Sequence, residues 1–185
     1  KLFHFTSGKG KNVIFTENIT ASLNVLLKGL LKPGDHVLVT AMEHNAVMRP
    51  LVQLEKHGIS FDRIPCASDG SLLLDRAATL LRPDTKLVVC LHASNVCGTV
   101  MPAQEIGDFC KEHRLLFILD TAQTAGTLDI DMEKYHIDAL AFTGHKGLRG
   151  PQGTGGFLIR NELATQIEPL ISGGTGSASH SEKIP

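Results

Sequence analysis

Short apolar and β-branched runs alternate with stretches of helical period along most of the chain. Runs at 12–16, 36–40, 60–65, 86–92, 115–120, 138–143 and 155–160 predict seven strands. Between them, Leu23, Leu26, Leu27 and Leu30 repeat with the i, i+3, i+4, i+7 spacing of one helix face. So do Leu74, Ala77, Ala78 and Leu81, and Ile106, Phe109, Cys110 and His113. A strand–helix alternation of this kind implies a three-layer α/β/α domain around a mostly parallel seven-stranded sheet.

Punctuation supports this division. Pro33-Gly34-Asp35 and Arg82-Pro83-Asp84 read as turns that end helices, and Pro102 as the start of the helix after it. The stretch 47–56 also predicts a helix, with Pro50 either disturbing its first turn or marking its start. From Gly173 onward, Gly-Gly-Thr-Gly-Ser-Ala-Ser-His-Ser has no apolar period and reads as a linker. The expected division is therefore a domain over 1–172 and a linker over 173–185 toward a small domain.

Composition narrows the function classes. The 185 residues are 42% hydrophobic and 20% charged, with a formal net charge of -1, so no basic footprint for nucleic acid is present. The nine histidines show no metal-binding spacing, and no metal is expected. Cys66, Cys90, Cys97 and Cys110 stand singly, three of them in apolar surroundings, with Cys97 read as a small packing residue. Reduced thiols and no apolar run of about 18 residues suit a cytoplasmic protein without a membrane span.

The chemistry gathers where strands are predicted to end, the place at which open α/β sheets bind ligands. Asp120 closes the run 115–120, and Thr143-Gly144-His145-Lys146 follows the run ending at Phe142. A lysine amine can form a Schiff base with an aldehyde, and a carboxylate beside a pyridine nitrogen keeps that nitrogen protonated. Thr16-Glu17-Asn18-Ile19-Thr20 opens the first helix; it is either a plain N-cap by Asn18 or Thr20, or an anion site built on a helix start. His44 could stack on a flat ring, and Asn95 could form an Asx-turn or hydrogen-bond a phenolic oxygen. A phosphate, a ring, a ring nitrogen, a phenolic oxygen and an aldehyde together describe pyridoxal 5'-phosphate (PLP). Neither G-x-G-x-x-G after the first strand nor a Walker A motif is present, and Gly150-Pro151-Gln152-Gly153-Thr154-Gly155-Gly156 reads as a turn before a strand.

In order along the chain stand Val13-Ile14-Phe15-Thr16 with Thr20 and Asn24, Pro33-Gly34-Asp35, Glu43-His44-Asn45, Ser94-Asn95-Val96 with Gly98-Thr99, Asp120-Thr121-Ala122-Gln123 with Gly126, and Gly144-His145-Lys146 before Gly150-Pro151. On these motifs the sequence resembles the class V aminotransferase superfamily of fold-type I PLP enzymes, and within it the cysteine desulfurase and selenocysteine lyase branch. The resemblance implies Lys146 as the Schiff-base lysine, Asp120 as partner of the ring nitrogen, and His44 as a stacking group that aids proton transfer. It implies Gln123 and Asn95 at the phenolic oxygen, and Ile19, Thr20, Thr143 and His145 around the phosphate, Thr143 standing where the family more often has Ser. The activity it implies is sulfur removal from a cysteine-like amino acid, with a homodimer and a sulfur-acceptor protein as partners. Transamination, another amino-acid lyase step and an inactive cofactor-free domain are the alternatives. Burial is expected to favour the free amine of Lys146. No cysteine follows Lys146, so a sulfur-accepting thiol and a substrate-binding arginine are expected in a longer chain.

Overall fold

Residues 11–173 are described in the computed structural model. Seven strands, β1 (Lys11–Thr16), β2 (His36–Thr40), β3 (Ser60–Ile64), β4 (Thr85–Leu91), β5 (Leu116–Asp120), β6 (Ala139–Thr143) and β7 (Gly155–Arg160), form one sheet in the order β1-β7-β6-β5-β4-β2-β3. Each lies within a residue of its predicted bounds. Neighbours from β3 through β6 pair in parallel, whereas β7 runs antiparallel to both β6 and β1. The C-terminal ends of β1, β2, β4, β5 and β6 therefore share one edge with the start of β7.

The central strands are buried on both faces, and alternate residues feed two cores. Val37, Val39, Leu87, Val89 and Ile118 join Leu23, Leu26 and Leu27 of helix α1 (Ile19–Leu30) and Val47 and Leu51 of helix α2 (Asn45–Glu55) in one cluster. Leu38, Val88, Cys90, Phe117 and Leu119 join Ile106 and Cys110 of helix α3 (Ala103–His113) in the other. A four-residue helix, α4 (Asn161–Ala164), follows β7 and places Leu163 in the first cluster. The expected three-layer α/β/α class is the observed one.

Two expectations change. The segment predicted as a helix face over 74–81 is a 3₁₀ helix, Leu74–Leu80, with Ala77 its only buried residue. Leu74, Ala77 and Leu80, three residues apart, are the side chains set against the core, which is the repeat of a three-residue turn. Helix α2 begins five residues before Pro50, because the side chain of His44 caps it at Ala46 N. Pro50 thus sits in the second turn, where its missing N–H leaves the Ala46 carbonyl without its usual donor. The expected linker lies, apart from Gly173, outside the described residues.

Candidate active site

Five strand ends build one cleft of about 300 Å³. Its walls include Ile19, Thr20, His44, Asn95, Asp120, Gln123, Thr143, His145 and Lys146, so every residue singled out from the sequence lies in the same cavity. Asn18, Leu91, Ala93 and Ala122 complete the lining.

At the β1 side, Asn18 is the N-cap of α1: its Oδ1 accepts from Ala21 N at 2.9 Å, with extended backbone at φ -172. Thr16 Oγ1 donates to Asn18 O at 2.8 Å and pairs with Ser22 Oγ at 2.8 Å, which fixes the entry to the helix. With Ala21 N and Ser22 N both bonded to Asn18, the amides of Ile19 and Thr20 are the first-turn donors left without an intrahelical acceptor. The N-cap and the anion-site readings thus coexist: Asn18 caps, and the next two residues line the cleft. A close approach holds this turn against β7, since a Cβ on Gly155 would stand 2.7 Å from Asn18 Cα.

At the β6 side, Thr143 is buried and its hydroxyl lies 3.2 Å from His145 Nδ1. The loop carrying Lys146 is closed by Gly144 N donating to Thr154 O at 2.8 Å, Gly150 N to Gly144 O at 2.8 Å and Arg149 N to Lys146 O at 2.9 Å. A Cβ on Gly144 would meet Thr154 Oγ1 at 2.1 Å, so the turn and the strand start after it require glycine there. The Gly-rich segment after Lys146 is the turn into β7 that its sequence suggested. Lys146 itself is exposed, not buried as expected.

The centre of the cleft is electrostatically polarised. Asp120 is 3% exposed; burial raises its carboxyl above the ordinary carboxylate range, against the opposing pull of its bond from Ala122 N at 2.8 Å and of the His44 and Lys146 charges. His44 Nδ1 accepts from Ala46 N at 3.0 Å. An imidazole that accepts at Nδ1 carries its proton on Nε2, so the cap also selects the tautomer. Glu43, beside it, binds Thr40 Oγ1 at 2.7 Å and Leu91 N at 2.8 Å through Oε1. Burial pushes the Glu43 carboxyl up to about 8.

The turn after β4 is made by Ser94, whose Oγ accepts from Val96 N and Cys97 N at 3.2 and 3.3 Å. An Asx-turn by Asn95 is therefore not what forms here, and the Asn95 side chain is left to the cleft. Cys97 is exposed, with its thiol 3.3 Å from Thr99 Oγ1, and hydrogen bonds from Ser94 and Thr99 draw the thiol down to about 7. It is not the small packing residue expected. All four described cysteines are free.

The family model for aminotransferase class-V matches residues 2–183. The chain belongs to the class-V aminotransferase family. Within it, the chain is 34% identical over 168 residues to cysteine desulfurase IscS of Vibrio campbellii, covering 89% of this chain and 41% of that protein. The apo structure of a cysteine desulfurase from Thermococcus onnurineus NA1 superposes with a TM-score of 0.82 at 36% identity, covering 88% of this chain and 41% of that one. A C-DES lysine-to-alanine mutant with glycine covalently linked to its PLP cofactor gives 0.80 at 31% identity, covering 87% and 44%. The chain thus spans about two fifths of the length of these family members.

Sequence reasoning missed Glu43, Leu91 and Ala93 as contributors. Leu91 and Ala93 flank the end of an apolar run and carry no polar signal. Glu43 gains its place from a contact with Leu91, 48 residues away, which no local pattern announces.

Proposed function

We propose that this chain is the cofactor-binding part of a PLP-dependent cysteine desulfurase, which takes sulfur from cysteine and leaves alanine. The observation that carries this reading is the convergence of Lys146, Asp120, His44 and the start of α1 on one cleft. Its donor set fits PLP: a helix start with free N–H groups, a hydroxyl, an imidazole, two side-chain amides, a buried carboxyl and a reachable amine. When bound, the cofactor supplies an electron sink for charge developing at the substrate Cα.

The residues divide the remaining work. Ile19 and Thr20 bind phosphate through the α1 start, joined by Thr143 and His145. His44, held as the Nε2–H tautomer by its cap, stacks on the ring. Asp120 holds a proton at the ring nitrogen, and the cation it faces there restores the charged form that burial disfavours. Gln123 and Asn95 orient the ring through its phenolic oxygen. Lys146 would hold the cofactor through its aldehyde, and its amine, when free, would move the proton at the substrate Cα. Leu91, Ala93 and Ala122 keep the floor apolar. The thiol that receives sulfur lies in this reading outside residues 1–185, as does the site for an acceptor protein.

In this reading the whole protein is a homodimer. Four unbridged thiols support a reducing compartment, the cytoplasm in this reading. No described helix is long and apolar enough to cross a membrane.

The test uses the protein that contains this chain, loaded with PLP and given L-cysteine. Alanine and sulfide in equal amounts, with an added dithiol that reduces the transferred sulfur to sulfide and without an added keto acid, support desulfuration. Keto-acid-dependent amino transfer with no sulfide would replace it by the aminotransferase reading, and absence of PLP binding would overturn both. Light scattering on the same preparation reads the assembly.

A further inference from the structure

Glu43 stands directly before the cleft residue His44, and the chemistry above leaves it without a task. The residue as a whole is half-buried, but Oε2 is sealed from solvent and has no hydrogen-bond partner. Oε1 accepts from Thr40 Oγ1, at the end of β2, and from Leu91 N, at the end of β4. The carboxyl therefore ties together the ends of two adjacent strands immediately before His44.

The groups whose charges reach it are Asp120 from β5, Cys90 from β4 and Cys66 after β3. All are neutral or negative, and among the described residues no cation forms an ion pair with Glu43. An ionised carboxylate in this position would be buried, lack a counter-ion and repel Asp120, the only acidic residue among the described residues of the cleft lining. A neutral carboxylic acid keeps both Oε1 bonds and removes the repulsion.

We propose that Glu43 is a positioning residue that works as an uncharged acid, fastening the β2–α2 turn and the His44 imidazole to the end of β4 so that Asp120 remains the sole anion of the cleft. Burial that pushes Glu43 up to about 8 agrees with this geometry. The inference rests on the PLP reading only for its consequence on cofactor affinity; the protonation and the His44 placement are properties of the chain alone.

Three comparisons test it on the protein containing this chain. By carboxyl-carbon NMR without cofactor, Glu43 titrates near the value that burial gives it; titration in the ordinary carboxylate range, about 4.3, would overturn the proposal. E43Q keeps an acceptor at Oε1 and stays neutral. It is expected to hold His44 in the Nε2–H tautomer by nitrogen NMR and to bind PLP at about pH 7 within roughly twofold of the parent. E43L removes the acceptor; it is expected to mix the His44 tautomers and weaken PLP binding by about tenfold while the circular dichroism spectrum stays native. Between about pH 7 and 9 the parent loses affinity relative to E43Q, every group common to the two cancelling in the comparison. Equal pH profiles for parent and E43Q, or pure Nε2–H His44 in E43L, would overturn the proposal. If neither parent nor variants bind PLP, the cofactor reading falls, and the two NMR measurements still decide the role of Glu43.

Discussion

Thr16 and Thr143 do not pair with each other, yet both are register partners of Gly155. The ends of β1 and β6 therefore stand one strand apart, and the strand between them begins with a residue that has no side chain. That arrangement brings the α1 start and the lysine loop to the same cleft. A Cβ at 155 would meet only backbone: Asn18 Cα at 2.7 Å, Asn18 C at 2.8 Å and Phe142 O at 3.0 Å. Backbone cannot rotate away as a flexible side chain can.

Gly155→Ala is accordingly expected to displace the Asn18 cap. Stability should fall by about 1–3 kcal/mol, the range for overpacking, and phosphate affinity should fall with it. Thermal melts and titration with inorganic phosphate check the two effects together. Unchanged affinity in a destabilised variant would separate the α1 start from the anion.

Lys146→Ala is expected to remove covalent attachment of PLP while leaving noncovalent binding through the α1 start and Thr143. Borohydride reduction followed by peptide mass mapping should find the pyridoxyl adduct on Lys146 in the parent and nowhere in the variant. An adduct on another lysine in the parent would remove Lys146 from its proposed role.

Asp120→Asn separates cofactor chemistry from folding. Asparagine keeps an acceptor for Ala122 N and removes a carboxyl whose ionised form burial disfavours. The cofactor-free variant should therefore be at least as stable as the parent at neutral pH. With PLP bound, turnover by the whole protein should drop by about 10²–10³, as for loss of one preorganised electrostatic partner. Melting curves and single-turnover kinetics give the two readings.

Stability should also depend on pH in a way that Glu43 and His92 divide. Glu43 rises from 4.5 to about 8 on folding, so the native state holds a proton that the unfolded chain has released; its contribution is full below 4.5 and lost as pH rises through about 8. Burial lowers His92 from 6.5 to about 4, so its contribution is full above 6.5 and lost as pH falls through about 4. The two slopes oppose each other at acid pH, and above 6.5 the Glu43 slope is opposed by Cys97, whose thiol is drawn from 9 to about 7 and so adds stability as pH rises. Measured against E43Q, which shares Cys97, urea unfolding should show the parent's stability falling between about 6.5 and 8, within a whole Glu43 contribution on the order of 3–5 kcal/mol. Parallel profiles for parent and E43Q would assign the dependence to other groups.

The strands and the cleft were legible in the sequence for a common reason: each buried strand is an apolar run, and each polar residue that follows one is placed by the sheet at the same edge. Non-local contacts were not. The 3₁₀ geometry of Leu74–Leu80 differs from an α-helix by about 0.6 residue per turn, which a short segment with alanines cannot declare. Pro50 looked like a helix start because the cap by His44, a residue type not prominent among N-caps, carries no strong signal. Lys146 was expected to be buried because burial would favour its free amine, but the residue is exposed in the turn after β6.

The reversed last strand bears on how the chain is made. In the described sheet β1 has β7 as its neighbour, with Lys11 opposite Arg160, so of these seven strands the earliest made waits for the seventh. The β2–β6 body can assemble during synthesis from nearer partners, whereas the β1 edge, and with it the start of α1, is completed only when translation has passed β7. Ligand capture by the α1 start would then mark the nascent chain's passage through that point, and pulse-labelled release intermediates that end before residue 155 would fold without acquiring it.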